Sequence, residues 1–580
     1  LKAFVELIGG EDFANTTVVA DSYDIKLSAG RFQFEDVAMQ DVAIDASYAD
    51  DALTVNQFSI GDLGGANIEV TQGRIEALSG QPQGHLNAQL EAATLEAFSR
   101  VVGRFLPENP ISVWLQRAGG SLAPAFLTAS IEAPAQEGNA DVRAVLSGVA
   151  AATNISAAVD LSGTLANWRQ SEIGVEILID SPNAAELSRQ AGFAVTGDAN
   201  PGGAHLEIDA SGVPIEGLDA RIAGEFAGVG LRSHGQLALD AGSPTAYTGS
   251  LAAASDDFEP LLAMLGLGIP VAAIGNSARI DGDIALVGKD AQLTLRNSHV
   301  AGSLVNGQLA LAQSGDNAWM VDGDLHIDSI DVGWVTALGL GFAVLPTGDA
   351  GAPWSRAPFG APGYGDVRGR IAASTDALFI APGFDASAAT LSLTFQPDRI
   401  AVDLMESQAL GGSLSGGLSI HNVVGNARVA GSIDLKGATL EDLVWSRGGR
   451  SVATGFVDLS AEFEAAGRSP AALASSLTGG GAIAIRDGEA RYMNPRAART
   501  VIRASDLGQE FSENELRDAV SEQIDGGPFV FNRAEGAFAI AAGVARMKSL
   551  VISGNGIEAS GDAAIDLSSL TIDSLSLIHI

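Results

Sequence analysis

"ATLSLTFQPDRIAVDLME", residues 389–406, decides the fold class. Leu391, Leu393 and Phe395 fall on one face of an extended chain, and Pro397 to Arg399 turn it. Ile400, Val402 and Leu404 then bring an apolar face back. Side chains alternate sides along a strand, so each arm has one greasy face and one wet face. "RFQFEDVAMQDVAIDASY" (residues 31–48) repeats the pattern with Phe32, Phe34, Val42 and Ile44. Turn dipeptides between such runs, Asn306-Gly307, Asp487-Gly488 and Asn555-Gly556, predict tight hairpins. The expected topology is an antiparallel meander.

Helical stretches are few and recur in one context. Gly84, Gly174, Gly249, Gly323 and Gly431 each open a short alternating strand, followed by a polar turn and about two helical turns. The residue two after the glycine is Leu86, Leu251, Leu325 or Ile433 in four of these, and Glu176 in the other. Intervals of roughly 75 to 110 residues are too long for the coil of a short solenoid. Each unit reads as several meandering strands closed by a short helix, and "LKAFVELIGG" at the start reads as the tail of another such helix.

Composition narrows the function. The 580 residues carry 33 basic and 70 acidic side chains, a net charge of −37. Such a surface repels a phosphate backbone, so no nucleic acid partner is expected. The chain has no cysteine, which excludes disulfides, thiolate metal sites and a cysteine nucleophile. No apolar run is long enough to cross a bilayer as a helix. Seven histidines (His85, His205, His234, His299, His326, His421, His579) have no ligand spacing. Asp281/Asp283 and Asp322/Asp324 read as solvated carboxylates at strand edges, and Gly339 as part of a lone Gly-rich turn. No nucleotide loop, nucleophile elbow or zinc-protease motif occurs, so neither catalysis, cofactor nor metal is expected.

A one-sided apolar meander must bury its face. The sheet either packs on itself or bends into a trough whose lining meets a ligand, and periodicity alone favours a packed core.

From Ser469 the pattern changes. "SPAALASSL" predicts a helix, Asn494 and Pro495 start a second, and Ser512 with Glu515 forms a capping box for a third. "LTGGGAIAIRDGEA" (477–490), this helical insert, and "FNRAEGAFAIAAGVARMKSLVISGNGIEASGDAAIDLSSLTID" (531–573) together resemble the C-terminal domain of the AsmA family. The motif positions are Gly536, Phe538, Ile540, Gly543 and Val544, then Gly561, Ile565, Asp566 and Leu567, with Ala563 departing from a second glycine. Residues 467–479 fit the family's "G-x-S-P-x-x-L" pattern.

The resemblance implies a periplasmic envelope protein of diderm bacteria, held in the inner membrane by an N-terminal helix and related to bridge-like lipid-transfer proteins. It shifts the balance toward a long, curved, mainly β antiparallel meander: a repeating β-groove with an open apolar lining and short helices. The expected lining includes Leu391, Leu393, Phe395, Ile400, Val402, Leu404, Leu414, Leu418 and Ile420, and the expected partner is phospholipid. Aspartates at 393 and 404 are expected to block passage without unfolding the protein. Arg496, Arg499 and Arg503, beside Arg491, are candidates for a head-group or partner contact, with pairing to the protein's own carboxylates the plainer reading. The other function classes are an assembly scaffold for outer-membrane proteins and a secreted adhesive β-solenoid. The expected organisation is a first repeat over 1–83, repeated units over 84–468 and an AsmA-like module over 469–574. "LSLIHI" (575–580) back-translates to a transposase adapter end and is expected to be foreign, so the chain is read as truncated at both ends.

Overall fold

The computed structural model describes residues 22–579 apart from 35–36, 77–82, 106–109, 134–140, 164, 194, 196, 198–199, 240–244, 269–275, 316–317, 343–344, 347, 349–351, 495, 498–502, 504–517, 519–522, 524 and 555–556. Two compact units divide the chain: Leu1–Leu267 with Asn276–Val300, and Gly268–Gly275 with Ala301–Ile580. The sequence-predicted hairpin at Asn555-Gly556 and the capping box at Ser512 lie outside the described residues.

In the first unit β1 (Ser22–Phe34) leads a meander in which every strand pairs antiparallel with the next. β2 (Val37–Ala49), β3 (Ala52–Asp62), β4 (Ala66–Glu76) and β5 (Gln83–Ala92) precede helices α1 (Glu96–Phe105) and α2 (Pro110–Ala118). β6 (Ala125–Ala133), β7 (Asp141–Ala150), β8 (Thr153–Ser162) and β9 (Glu172–Ser181) precede α3 (Ala184–Gln190). β10 (Ala204–Val213), β11 (Gly217–Phe226), β12 (Val229–Ala238) and β13 (Ala246–Ser255) precede α4 (Glu259–Met264). β14 (Ala278–Val287) and β15 (Asp290–Val300) complete the unit.

The second unit begins with β16 (Ser303–Gln313), β17 (Trp319–Asp331) and α5 (Val332–Leu340). β18 (Val367–Ala381) returns parallel to β17, a parallel pair that α5 makes possible by carrying the chain back. β19 (Phe384–Gln396), β20 (Arg399–Ala409), β21 (Gly412–Val423) and β22 (Asn426–Thr439) continue antiparallel. A tiny hairpin follows, β23 (Ser446–Arg447) with β24 (Arg450–Ser451), and β25 (Ala453–Gly467) rejoins the ladder beside β22. α6 (Pro470–Ser476) leads to β26 (Thr478–Ala490), β27 (Phe529–Ala541), β28 (Val544–Gly554), β29 (Ile557–Asp566) and β30 (Thr571–His579). The backbone of Leu575–His579 extends β30 against Glu558–Asp562.

The five glycines that mark the repeat sit in β5, β9, β13, β17 and β22, each the last strand before a helix or, after β22, a single 3-10 turn (Leu440–Asp442). Gly84, Gly249, Gly323 and Gly431 share the apolar side of their strands with Leu86, Leu251, Leu325 and Ile433. A Cβ on Gly84 would lie 1.8 Å from Arg74 O and one on Gly431 2.5 Å from the Phe463 ring. Gly174 is out of phase: Ile173, Val175 and Ile177 face the apolar side, so Gly174 and Glu176 face water. That one-residue shift explains why Glu176 breaks the sequence pattern.

The tight turns use a different dipeptide from the expected one. Ala227-Gly228, Ala301-Gly302, Leu410-Gly411, Val424-Gly425 and Ala542-Gly543 all have positive φ at both residues, as a two-residue hairpin turn requires. Asn306-Gly307 lies inside β16 instead, where a Cβ on Gly307 would come 2.1 Å from Asp324 O. Asp487-Gly488 lies inside β26, with Asp487 at φ 50 as an irregularity and Gly488 under the Phe531 ring. In both places glycine admits a close neighbour rather than a turn.

Candidate functional site

Side chains directly opposite on paired strands share a face, so the ladder can be followed sideways. In the first unit Ala29, Val42, Ile60, Ile68, Leu90, Leu127, Gly148, Ile155, Ile179, Leu206, Gly224, Leu231, Ala253 and Ile280 stand side by side from β1 to β14. In the second unit Leu309, Gly323, Ile371, Leu393, Val402, Leu418, Gly431, Phe463, Gly479, Ile540, Ala545, Ile565 and Ile572 form the corresponding row. No polar side chain interrupts either row. The opposite face carries the charges: Arg143 pairs with Asp160 at 3.1 Å and His234 with Asp219 at 3.0 Å.

The helices cover only part of each face. In the first unit Leu95, just before α1, with Ala97 of α1 and Leu115 and Ala118 of α2, packs in one cluster with Val42, Ile44, Ile60 and Leu90. Beyond the helices the same strands line a pocket of about 310 Å³ with Tyr23, Ile25, Ala46, Leu53, Val55, Val70, Ile75 and Leu86. One face of five consecutive strands can line a pocket only if the sheet curves around it. Tyr23 and Tyr48 stack in its wall, ring centroids 5.1 Å apart. Tyr48 Oη donates to Asp51 Oδ1 at 3.4 Å, while the buried Tyr23 hydroxyl has no hydrogen-bond partner among the described residues. Burial, with a smaller contribution from Tyr48, holds the Tyr23 phenol above its ordinary pKa, so it stays a donor. On β6, β7 and β8 the face is open: Ile131, Leu146 and Val159 are 39%, 37% and 36% exposed.

The lining expected from the sequence occupies the right face at a covered place. Leu391, Leu393, Phe395, Ile400, Val402, Leu414 and Ile420 are buried, and Leu404 and Leu418 half-buried against them, in the core of the second unit. α5 and the Phe359–Tyr364 segment roof this core, with Val335, Leu338 and Leu340 packed on the sheet. These residues are therefore packing, not open lining. Leu393 is 8% exposed, so an aspartate there would bury an unpaired carboxylate and unfold the unit before it blocked anything. The signal was in the helix itself: "VGWVTALGL" is apolar on nearly all sides, as a buried helix is. α2 was also legible, from Pro110 at its first turn.

Gly339, read as part of a turn, lies inside α5, and Gly341 caps it at φ 72. A Cβ at Gly339 would sit 2.8 Å from Ile400 Cγ2 and 3.2 Å from Ile420 Cδ1. Gly339→Ala should gain about 1 kcal/mol of helix propensity. It should lose more than that, for a net destabilisation of about 1–2 kcal/mol, because the helix must lift off β20 and β21. Denaturant unfolding of the variant checks the sign.

The motif residues that resemble the AsmA pattern make turns and join them. Gly543 N donates to Leu477 O at 2.9 Å, and Leu567 N to Gly543 O at 2.8 Å. Asp566 Oδ1 accepts from Ser568 Oγ at 2.6 Å and Ser568 N at 2.9 Å, folding the β29–β30 turn. The Ser568 hydroxyl, then its N–H, hold the Asp566 carboxyl below the usual carboxylate range. Its contribution to stability is present above the unfolded carboxylate pKa and is lost as pH falls through the depressed folded value. Hydrogen exchange, corrected for intrinsic rate, should show β30 loosening in acid, with that step absent in Asp566→Ala.

Of the arginines, Arg491 lies 3.4 Å from Glu489 and donates to Ser451 O at 3.2 Å. Arg496 and Arg503 are exposed, and Arg499 lies outside the described residues. Asp283 pairs with Arg296 on the wet face of β14. Asp281, Asp322 and Asp324 also lie within strands, not turns. Among the described residues no three His, Asp or Glu side chains converge as metal ligands would, and no helix is long and apolar enough to cross a membrane. No protein-family model matches the chain, and no curated protein matches it.

Proposed function

We propose that this protein carries or shields phospholipid acyl chains on its apolar sheet faces, as an AsmA-like periplasmic protein working between inner and outer membranes. In this reading an N-terminal anchor beyond these residues holds it at the inner membrane. The observation that carries the reading is the apolar face that runs across the strands and, beside the packed row of Leu127, Gly148 and Ile155, lies open at Ile131, Leu146 and Val159 on β6 to β8. A soluble protein loses stability by exposing such a stripe unless something apolar covers it. Each methylene that leaves water for the stripe gains about 0.8 kcal/mol, so a bound chain needs no catalytic residue to stay. The motifs at 477–490 and 531–573 support the family placement, and their geometry is structural, as a non-catalytic carrier needs.

The test is direct. The chain is purified from a diderm bacterium with a photo-crosslinking residue at Leu146, and bound lipid is extracted and weighed by mass spectrometry. Phospholipid at near-stoichiometric amounts, crosslinked at position 146 and not at the wet-face position of Ser147, is the expected result. Protein free of lipid, or equal crosslinking at both positions, would falsify the proposal.

A further inference from the structure

The pocket between β1 and β5 differs from the rest of the face. It is walled, it holds about 310 Å³, and one polar group without a partner is buried in its wall. An apolar cavity of about 150 Å³ accommodates benzene, so this one has room for about a dozen carbons in a single chain. Two chains of a phospholipid would not fit together. The polar side chains at the wall are Tyr23, Tyr48 and Ser47, and Tyr48 is engaged by Asp51. Lys26, on the same strand as Tyr23, is engaged by Asp45 at 3.0 Å on the wet face. The pocket thus offers a phenol donor in an otherwise apolar wall with no lysine or arginine among its lining residues, which suits an uncharged oxygen and leaves an anion to lose its water without a cationic partner.

We propose that this pocket is a specific site for a single-chain neutral lipid, an acylglycerol with one chain of about twelve carbons, whose ester or hydroxyl oxygen accepts from Tyr23. The inference rests on the lipid-carrier reading but assigns one place and one ligand class within it. A buried hydroxyl without a partner destabilises the empty protein and gains a bond when such a ligand enters. The empty pocket is therefore built at a cost that a ligand with a hydrogen-bond acceptor recovers, and a purely hydrocarbon one does not.

The experiment uses the full chain, delipidated, with monododecanoylglycerol and dodecanoate as paired probes in calorimetry. A diazirine analogue of the neutral probe maps the site. The neutral lipid should bind at least tenfold more tightly than the anion and crosslink to residues 44–58 and 70–75. Tyr23→Phe should weaken it by about threefold to tenfold while leaving the empty protein as stable or more so. Val70→Trp, which fills the pocket, should abolish it. Equal affinity for dodecanoate overturns the head-group assignment, and unchanged binding in Val70→Trp overturns the site. Crosslinks spread over β6 to β8 but missing from β2 to β4 sink the pocket and keep the carrier. No crosslink anywhere sinks both.

Discussion

Replacing Asn422 with leucine should cost the second unit about 3–5 kcal/mol, more than any surface change in the protein. Asn422 is fully buried at the end of β21. Its Nδ2 donates to Gly339 O and Gly360 O, both at 3.0 Å, and its Oδ1 accepts from Gly425 N at 3.0 Å. One side chain thus satisfies a carbonyl in the last turn of α5, a carbonyl of the segment that roofs the core, and the turn between β21 and β22. Leucine keeps the branched skeleton but is bulkier, and it leaves two carbonyls and an amide without partners, each worth about 1–3 kcal/mol when buried. Asn422→Asp should fail as badly, because a carboxylate cannot donate to either carbonyl. Asn426→Ala, at an exposed neighbour, should change little. Hydrogen exchange of residues 332–342 reads the result. Protection within about tenfold of wild type in Asn422→Leu, some 1.4 kcal/mol, would show that the helix is held by apolar packing alone.

The second large effect concerns lipid. Ile131→Asp, Leu146→Asp and Val159→Asp together should lower the phospholipid recovered with the protein at least tenfold. Ile131 and Val159 flank Ala144 in one cross-strand row, and Leu146 stands in the adjacent row between Ala129 and Ala157. Each is more than a third exposed, so a carboxylate there stays hydrated in the empty protein and folding should be little changed. Under an acyl chain the same carboxylate loses its water, at several kcal/mol per ion. Every 1.4 kcal/mol is a factor of ten in affinity. Circular dichroism and thermal melting establish that the variant is folded. Undiminished lipid in a folded triple variant would mean that the face of β6 to β8 does not hold it.

Much of this architecture is written in alternation. Strand after strand could be placed from Leu391, Leu393 and Phe395 or from Val42 and Ile44, because a period of two admits one backbone. The five marker glycines found the strands that precede helices; at Gly84, Gly249, Gly323 and Gly431 a Cβ would crowd a neighbouring strand, whereas Gly174 faces water and marks its strand without that constraint. Turns were less legible. The chain reverses at Ala-Gly, Leu-Gly and Val-Gly, where the glycine supplies one positive φ and the ladder on both sides forces the other onto a residue that would not choose it. Asn306-Gly307 and Asp487-Gly488, the better turn formers, were kept in strands by their cross-strand partners.

The candidate site divides along the same line. The sequence by itself determined that a predominantly apolar face exists, which residues share much of it, and that the opposite face carries the charge. Those properties depend on order along a strand. Whether a stretch of the face is roofed or open was decided only by tertiary structure. Leu391 to Ile420 became core because α5, arriving from residues 332–340, lies on them, whereas Ile131, Leu146 and Val159 remain open and Tyr23 to Leu86 curve into a pocket. Covering is an interaction between segments far apart in the chain, and alternation is blind to it.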